Sequence, residues 1–280
     1  VNEPQSSQPP AQTIFAMGGG GFTMEPDNPL LDDFVLGLSP VREPRILFLP
    51  TAAGDTTGLI NAFHARFGDR ACTPTHLSLF RLAEVKRPLR EIVLEQDIVY
   101  VGGGSMRNLL AIWHAHGLDD LLVEAWQQGI VLAGLSAGAM CWFQGGLSRS
   151  GGGAPAPIQG LGLLPGSLTV HADGEPERLP VWLAGVREGT LPGGWALDDG
   201  VGLQFAGTKP VRAVSSRPGA GGQRVDAIAG ELVRKRLECE LLGADAPTVH
   251  PALDDDIQEM RHVQRLRSRM SGHGGRIGGL

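Results

Sequence analysis

Residues 130–143 read Ile130-Val131-Leu132-Ala133-Gly134-Leu135-Ser136-Ala137-Gly138-Ala139-Met140-Cys141-Trp142-Phe143. The first part, 130–134, is an unbroken apolar run, as expected of a strand covered on both faces. The second part, 137–143, is compatible with a helix. Between them lies Gly-x-Ser-x-Gly, the pattern of a nucleophile elbow when it joins a strand to a helix. Small residues around the serine allow a sharp turn. The helix start behind it offers free N–H groups and the positive end of a dipole to a developing oxyanion. Ser136 is therefore the candidate nucleophile, and the Ala137 amide the first candidate oxyanion donor. The alternative is a small-residue turn that only packs a helix tightly on a sheet.

Upstream, three further runs have the same character: 13–18, 45–50 and 97–102. Helical segments are expected between them, at 28–38, 57–68, 105–116 and 118–128. In the last of these, Leu118, Leu121, Leu122, Ala125 and Trp126 fall on one helical face. Strands alternating with helices imply right-handed crossovers and a mostly parallel sheet with helices on both faces, an α/β fold. Ligands in such sheets bind beyond the carboxyl ends of the strands. Gly102-Gly103-Gly104-Ser105 lies at one of those ends, so Gly103 and Gly104 are candidates for the second oxyanion donor. Neither this cluster nor Gly18–Gly21 fits a dinucleotide fingerprint or a P-loop.

Beyond the elbow the character changes. Residues 145–166 read as Gly- and Pro-rich loop, and 166–172, 195–206 and 211–216 as short strands. Residues 225–229 and 231–235 suggest a hairpin around Gly230. The expected division is a polar extension at 1–12, a catalytic domain at 13–242 and a polar tail at 243–280 with one possible helix, Ile257 to Met270.

A serine hydroxyl needs a base. Of the 8 histidines, only His171 closes a predicted strand downstream of the elbow, which makes it the candidate. Its orienting carboxylate could be Asp173, Glu175, Glu177, Asp198 or Asp199, and the residues alone do not choose between Asp198 and Asp199.

Composition bounds the function. The 280 residues are 42% hydrophobic and 19% charged, enough apolar material for a sizeable core. A net charge of −6 argues against a general nucleic-acid binder. The 3 cysteines form no C-x-x-C pair, so they are expected to be reduced thiols of a cytoplasmic protein rather than metal ligands. The polar, Pro-rich stretch at 1–12 lacks the features of a signal peptide. The apolar run around the elbow is shorter than the roughly 20 residues of a membrane span, so no membrane partner is expected.

Several motifs together resemble one known family. Gly-Gly-Gly-x-x-x-Asn-Leu-Leu at 102–110, Gly-x-Ser-Ala-Gly-Ala at 134–139, His-x-Asp-x-Glu-x-x-Arg at 171–178 and Leu-Asp-Asp-Gly at 197–200 are similar to peptidase E (aspartyl dipeptidase) and its cyanophycinase relatives. The resemblance covers about 13–242. It implies a fold like the class I glutamine amidotransferases, with serine on the elbow where those carry cysteine. It also implies Ser136 as nucleophile, His171 as base, Asp199 as acid and no metal or organic cofactor. Homodimers are common in the family. Arg107, Asn108, Glu175 and Arg178 fall where substrate contacts are expected, and Glu175 stands where the aspartyl dipeptidases carry an arginine. The implied activity is hydrolysis of short peptides without strict preference for N-terminal Asp. The competing readings are a small-molecule esterase or amidase, and a non-catalytic binding module on the same fold.

Overall fold

The structure, a computed structural model, describes residues 12–244. Most of the expected 1–12 extension and the tail with its helix at Ile257 to Met270 lie outside the described residues. The first half alternates strand and helix: β1 (Thr13–Met17), α1 (Gly21–Met24), α2 (Leu30–Gly37), β2 (Arg45–Leu49), α3 (Thr57–Phe67), β3 (Thr73–His76), α4 (Leu89–Leu94), β4 (Ile98–Val101), α5 (Met106–His116), α6 (Leu118–Gln127), β5 (Val131–Leu135) and α7 (Ala137–Met140). The second half is strand-rich: β6 (Phe143–Ser148), β7 (Ala156–Gln159), β8 (Leu164–Thr169), α8 (Arg178–Glu188), β9 (Gly194–Leu197), β10 (Val201–Ala206), β11 (Lys209–Ser215), β12 (Gly222–Ile228), β13 (Glu231–Leu237) and β14 (Glu240–Leu241).

These strands form two sheets. The larger has the order β14-β11-β10-β1-β5-β4-β2-β3, and its run from β1 to β3 is parallel throughout. Phe15, Met17, Ile46, Phe48, Ile98, Tyr100, Val131 and Ala133 point to one face and join the helix residues Phe22, Leu31, Val35, Phe63 and Phe67 in one core. The alternate residues Ile14, Ala16, Leu47, Leu49, Val99, Val101 and Leu132 are fully buried as well. Burial on both faces is what makes these strands read as continuous apolar runs.

The smaller sheet, β13-β12-β9-β8-β6-β7, is mixed, and it corrects the sequence reading in several places. The segment 145–166 is not loop, because it carries most of β6, all of β7 and the start of β8. The helix after Ser136 ends at Met140 rather than at 143, since Phe143 already pairs with Leu164. The expected strand at 195–206 is two strands, β9 and β10, divided by a turn at Asp198–Gly200. The elements β3, α4 and α8 have no counterpart in the sequence reading. The hairpin around Gly230 is present as β12 and β13, and its turn residues Ala229 and Gly230 have φ 52° and 86°, the positive pair a tight two-residue hairpin needs.

The chain crosses from the larger sheet to the smaller one at α7, between β5 and β6. It returns at Asp198–Gly200, between β9 and β10. These are the first two of four crossings, the others falling between β11 and β12 and between β13 and β14; the first two lie at the same end of the sheets, and that end carries the site. One buried group steadies this end. Asp32 is fully buried, faces Arg66 at 3.1 Å and accepts from Tyr100 Oη at 3.3 Å. Burial raises its carboxyl to about 6, against the opposing pull of Arg66. A Cβ on Gly21 would meet Asp32 Oδ1 at 3.1 Å, so the carboxylate lies directly beneath the glycine turn that follows β1.

Candidate active site

The strand β5 delivers Ser136 and α7 begins immediately after it. Ser136 has φ 55° and ψ −113°, a conformation L-residues rarely adopt. The turn is held by backbone bonds: the Ser136 N–H donates to Met17 O at 3.0 Å, and Ser136 O accepts from Met140 N at 2.9 Å. The flanking glycines are needed for close approach. A Cβ on Gly134 would overlap the carbonyl of Gly138, and one on Gly138 would overlap that of Val101. Side chains there would push α7 off the sheet and move the serine with it.

His171 lies just beyond β8 of the smaller sheet, and it too has a positive φ of 53°. Its Nε2 lies 2.9 Å from Ser136 Oγ, and its Nδ1 lies 2.5 Å from Asp199 Oδ1. A carboxylate can only accept, so Nδ1 carries the proton. In the neutral ring Nε2 is then the acceptor for the serine hydroxyl. The imidazole and the carboxylate are 13% and 11% exposed, which keeps water from competing for either bond. A hydroxyl, an imidazole and a carboxylate in this order can pass the serine proton to the ring while the acid steadies the charge that forms.

The structure distinguishes the acids left open by the sequence. Asp199 faces His171. Asp198 points away and accepts from Gly221 N at 3.0 Å, and burial raises its carboxyl above the usual range. Asp173 accepts from the Asp199 N–H at 2.8 Å, so it positions the backbone that carries Asp199. Glu175 and Glu177 turn to arginines: Arg178 Nε donates to Glu175 at 3.0 Å, and Arg149 pairs with Glu177.

The other predicted residues divide into two groups. Gly103 is brought to the serine, since a Cβ there would meet Ser136 Cβ at 3.2 Å and Oγ at 3.8 Å. Gly104 packs on the backbone of Ala52 with φ 138°, and Ala137 opens α7 with the N–H groups of a helix start. Arg107 and Asn108 lie exposed on the first turn of α5, where the Asn108 N–H donates to Ser105 Oγ at 3.1 Å. Arg178 is buried and committed: besides Glu175, it donates to Leu147 O at 3.1 Å.

One site residue escaped the sequence reading. Gly19 lies against the His171–Asp199 pair; a Cβ there would overlap Asp199 Oδ1 and come within 2.9 Å of His171 Nδ1. Its only sequence signal is membership of the run Gly18–Gly21. The expected result for Gly19→Ala is a fall in kcat of about 100-fold, the loss typical of reacting groups displaced by about 1 Å. The thermal unfolding midpoint should change little. Full activity in Gly19→Ala would show that the pair tolerates displacement.

Comparison with known proteins gives the family. Residues 14–212 match the model of peptidase family S51. The chain is 45% identical over 230 residues to the uncharacterized peptidase YgaJ of Bacillus subtilis (strain 168), covering 82% of this chain and 99% of that relative. Among solved structures it is similar in fold to a peptidase from an acI-B1 Actinobacterium, with TM-score 0.62 and 20% identity, over 82% of this chain and 95% of that one. It is also similar to a candidate peptidase E from Listeria monocytogenes EGD-e, with TM-score 0.51 and 17% identity, over 81% of this chain and 100% of that one. On the family match and the extent of identity to YgaJ, the chain belongs to peptidase family S51, the peptidase E family, and is a serine-type peptidase.

Proposed function

We propose that the chain hydrolyses short peptides through an acyl-enzyme formed on Ser136, in a fold of the class I glutamine amidotransferase type with Ser136 on its nucleophile elbow. The observation that carries this reading is the continuous chain of hydrogen bonds from Ser136 Oγ through His171 to Asp199. Ser136 Oγ attacks the scissile carbonyl carbon and gives its proton to His171 Nε2. The carbonyl electrons move onto oxygen, where the amides of Ala137 and of Gly103 or Gly104 are the candidate donors. Collapse breaks the C–N bond, and the amine leaves with the proton from the imidazolium. Water then attacks the ester by the same steps, and the second product is a carboxylic acid.

The charges near His171 bear on selectivity. An N-terminal aspartate side chain is best held by an arginine with two free N–H groups. Arg178 is buried and occupied by Glu175 and Leu147, while the Glu175 side chain is 29% exposed. Glu175 and Arg178 are thus paired with each other, and Arg178 offers no free guanidinium to an acidic side chain. The expected kcat/KM for Asp-Leu is no more than about 10-fold above that for Ala-Leu or Lys-Leu, the scale of a weak pocket preference. A preference for Asp-Leu of several hundred-fold would overturn this assignment and point to Arg107 or a released Arg178 as the reader.

A further inference from the structure

The loop between β6 and β7 reaches both banks of the site with its side chains, and Ser150 Oγ also lies 2.7 Å from Ser148 Oγ at the end of β6. On one bank, Ser105 Oγ donates to Ser150 Oγ at 2.7 Å. Ser105 directly follows Gly103 and Gly104, and Gly103 touches Ser136. On the other bank, Arg149 pairs with Glu177 and has its Nη1 3.9 Å from Glu175. Glu175 is tied to the histidine, since its N–H donates to His171 O at 2.9 Å. Two adjacent residues thus join the loop beside the nucleophile to the loop beside the base.

The rest of the segment has little to hold it. A Cβ at Gly151, Gly152 or Gly153 would project into open space, so no neighbouring element packs against that stretch. Both contacts are solvent-exposed, with the Arg149 and Glu177 side chains 46% and 48% exposed. Exposed pairs of this kind are weak, and a glycine run bends readily. The loop is therefore held across the site by these contacts rather than by packing of its own glycine run.

We infer that Arg149 and Ser150 bridge the mouth of the catalytic cleft and limit the length of the peptide that enters. The inference rests on the proposed peptidase reading of the same site. A bridge joining the two banks closes one end of the cleft, so a substrate extends freely only at the other end. Arg149 and Ser150 are specificity-determining residues in this arrangement, and neither takes part in proton transfer.

The test compares kcat/KM over a nested series from dipeptide to hexapeptide, extended separately at the amino and carboxyl ends. Wild type is expected to lose activity steeply with extension at one end. The double variant Arg149→Ala/Ser150→Ala is expected to raise the hexapeptide-to-dipeptide ratio at that end by about 10-fold or more, an effect of the size a removed steric block gives. Dipeptide turnover should stay near its original value. A charge swap, Arg149→Glu with Glu177→Arg, should keep the length limit that Arg149→Glu alone relaxes, which excludes a general loss of folding. An unchanged ratio in the double variant, with dipeptide turnover intact, would overturn the length limit alone. Failure of wild type to react with a fluorophosphonate would instead overturn the peptidase reading and the length limit with it.

Discussion

Ser136→Ala is expected to lower kcat on any short peptide by at least ~10⁴-fold, the usual cost of removing the nucleophile from such a unit. Folding should be untouched. Ser136 already holds a Cβ at φ 55°, so alanine meets the same backbone strain. The variant gives up the hydroxyl's hydrogen bond to His171, and a single bond of this kind contributes about 1 kcal/mol. The thermal midpoint should therefore shift by only a few degrees, and peptide should still bind. Cys141, the nearest cysteine in sequence, is fully buried and donates to Gly138 O at 3.1 Å, and burial pushes its pKa well above the ordinary thiol value. Thiolate, the reactive form, is thereby suppressed. Turnover and fluorophosphonate labelling measured together decide the matter, because a contaminating peptidase would supply turnover without labelling this chain. Near-normal turnover by a purified, unlabelled Ser136→Ala variant would remove Ser136 from the mechanism.

What could be read in advance depended on where each constraint originates. The parallel strands β1, β2, β4 and β5 were legible because burial on both faces leaves a local trace, a continuous apolar run. The part of the second sheet made by β6, β7 and the start of β8 leaves no such trace. In β6, Gly145 and Gly146 stand where side chains would strike Leu191 and Met140, and in β8 Pro165 and Gly166 interrupt the pattern. These residues imitate a loop while serving close packing. The helix α8 was hidden by Pro180 in its first turn and Gly185 near its end, although Leu179, Trp182, Leu183 and Val186 lie on one helical face and pack in one core. At the site, the sharp turn that carries Ser136 was legible because its requirements are local. Gly19 was not, because the atoms that forbid its side chain belong to residues 171 and 199. Asp198 and Asp199 were indistinguishable for a related reason. Neighbours on one turn point in different directions, and only the position of His171 shows which of them faces it.

Asp199→Asn carries the second large effect, a fall in kcat of about 10⁴-fold with KM nearly unchanged, the loss seen when an orienting acid becomes its amide. The two side chains have the same shape, so the turn at Asp198–Gly200 and the bond that the Asp199 N–H donates to Asp173 should persist. What changes is the proton inventory. A carboxylate accepts from Nδ1 and obliges the ring to leave Nε2 free. An amide can present its NH2 group instead, which favours the tautomer with the proton on Nε2. That ring cannot accept from Ser136, although it still fits the space. An amide also supplies no negative charge to balance the imidazolium formed during attack. The two neighbouring acids serve as internal controls. Asp198→Asn should keep activity within about 10-fold, since its partner is the Gly221 N–H and an amide oxygen can still accept that bond. Asp173→Asn likewise keeps an acceptor for the Asp199 N–H, and its loss should also fall well short of that of Asp199→Asn. The measurement is kcat for the three variants on one dipeptide, with near-ultraviolet circular dichroism to show that each retains its packing. A large loss in Asp198→Asn or Asp173→Asn with little loss in Asp199→Asn would mean that the acid supporting His171 in catalysis is not the one hydrogen-bonded to it in the structure.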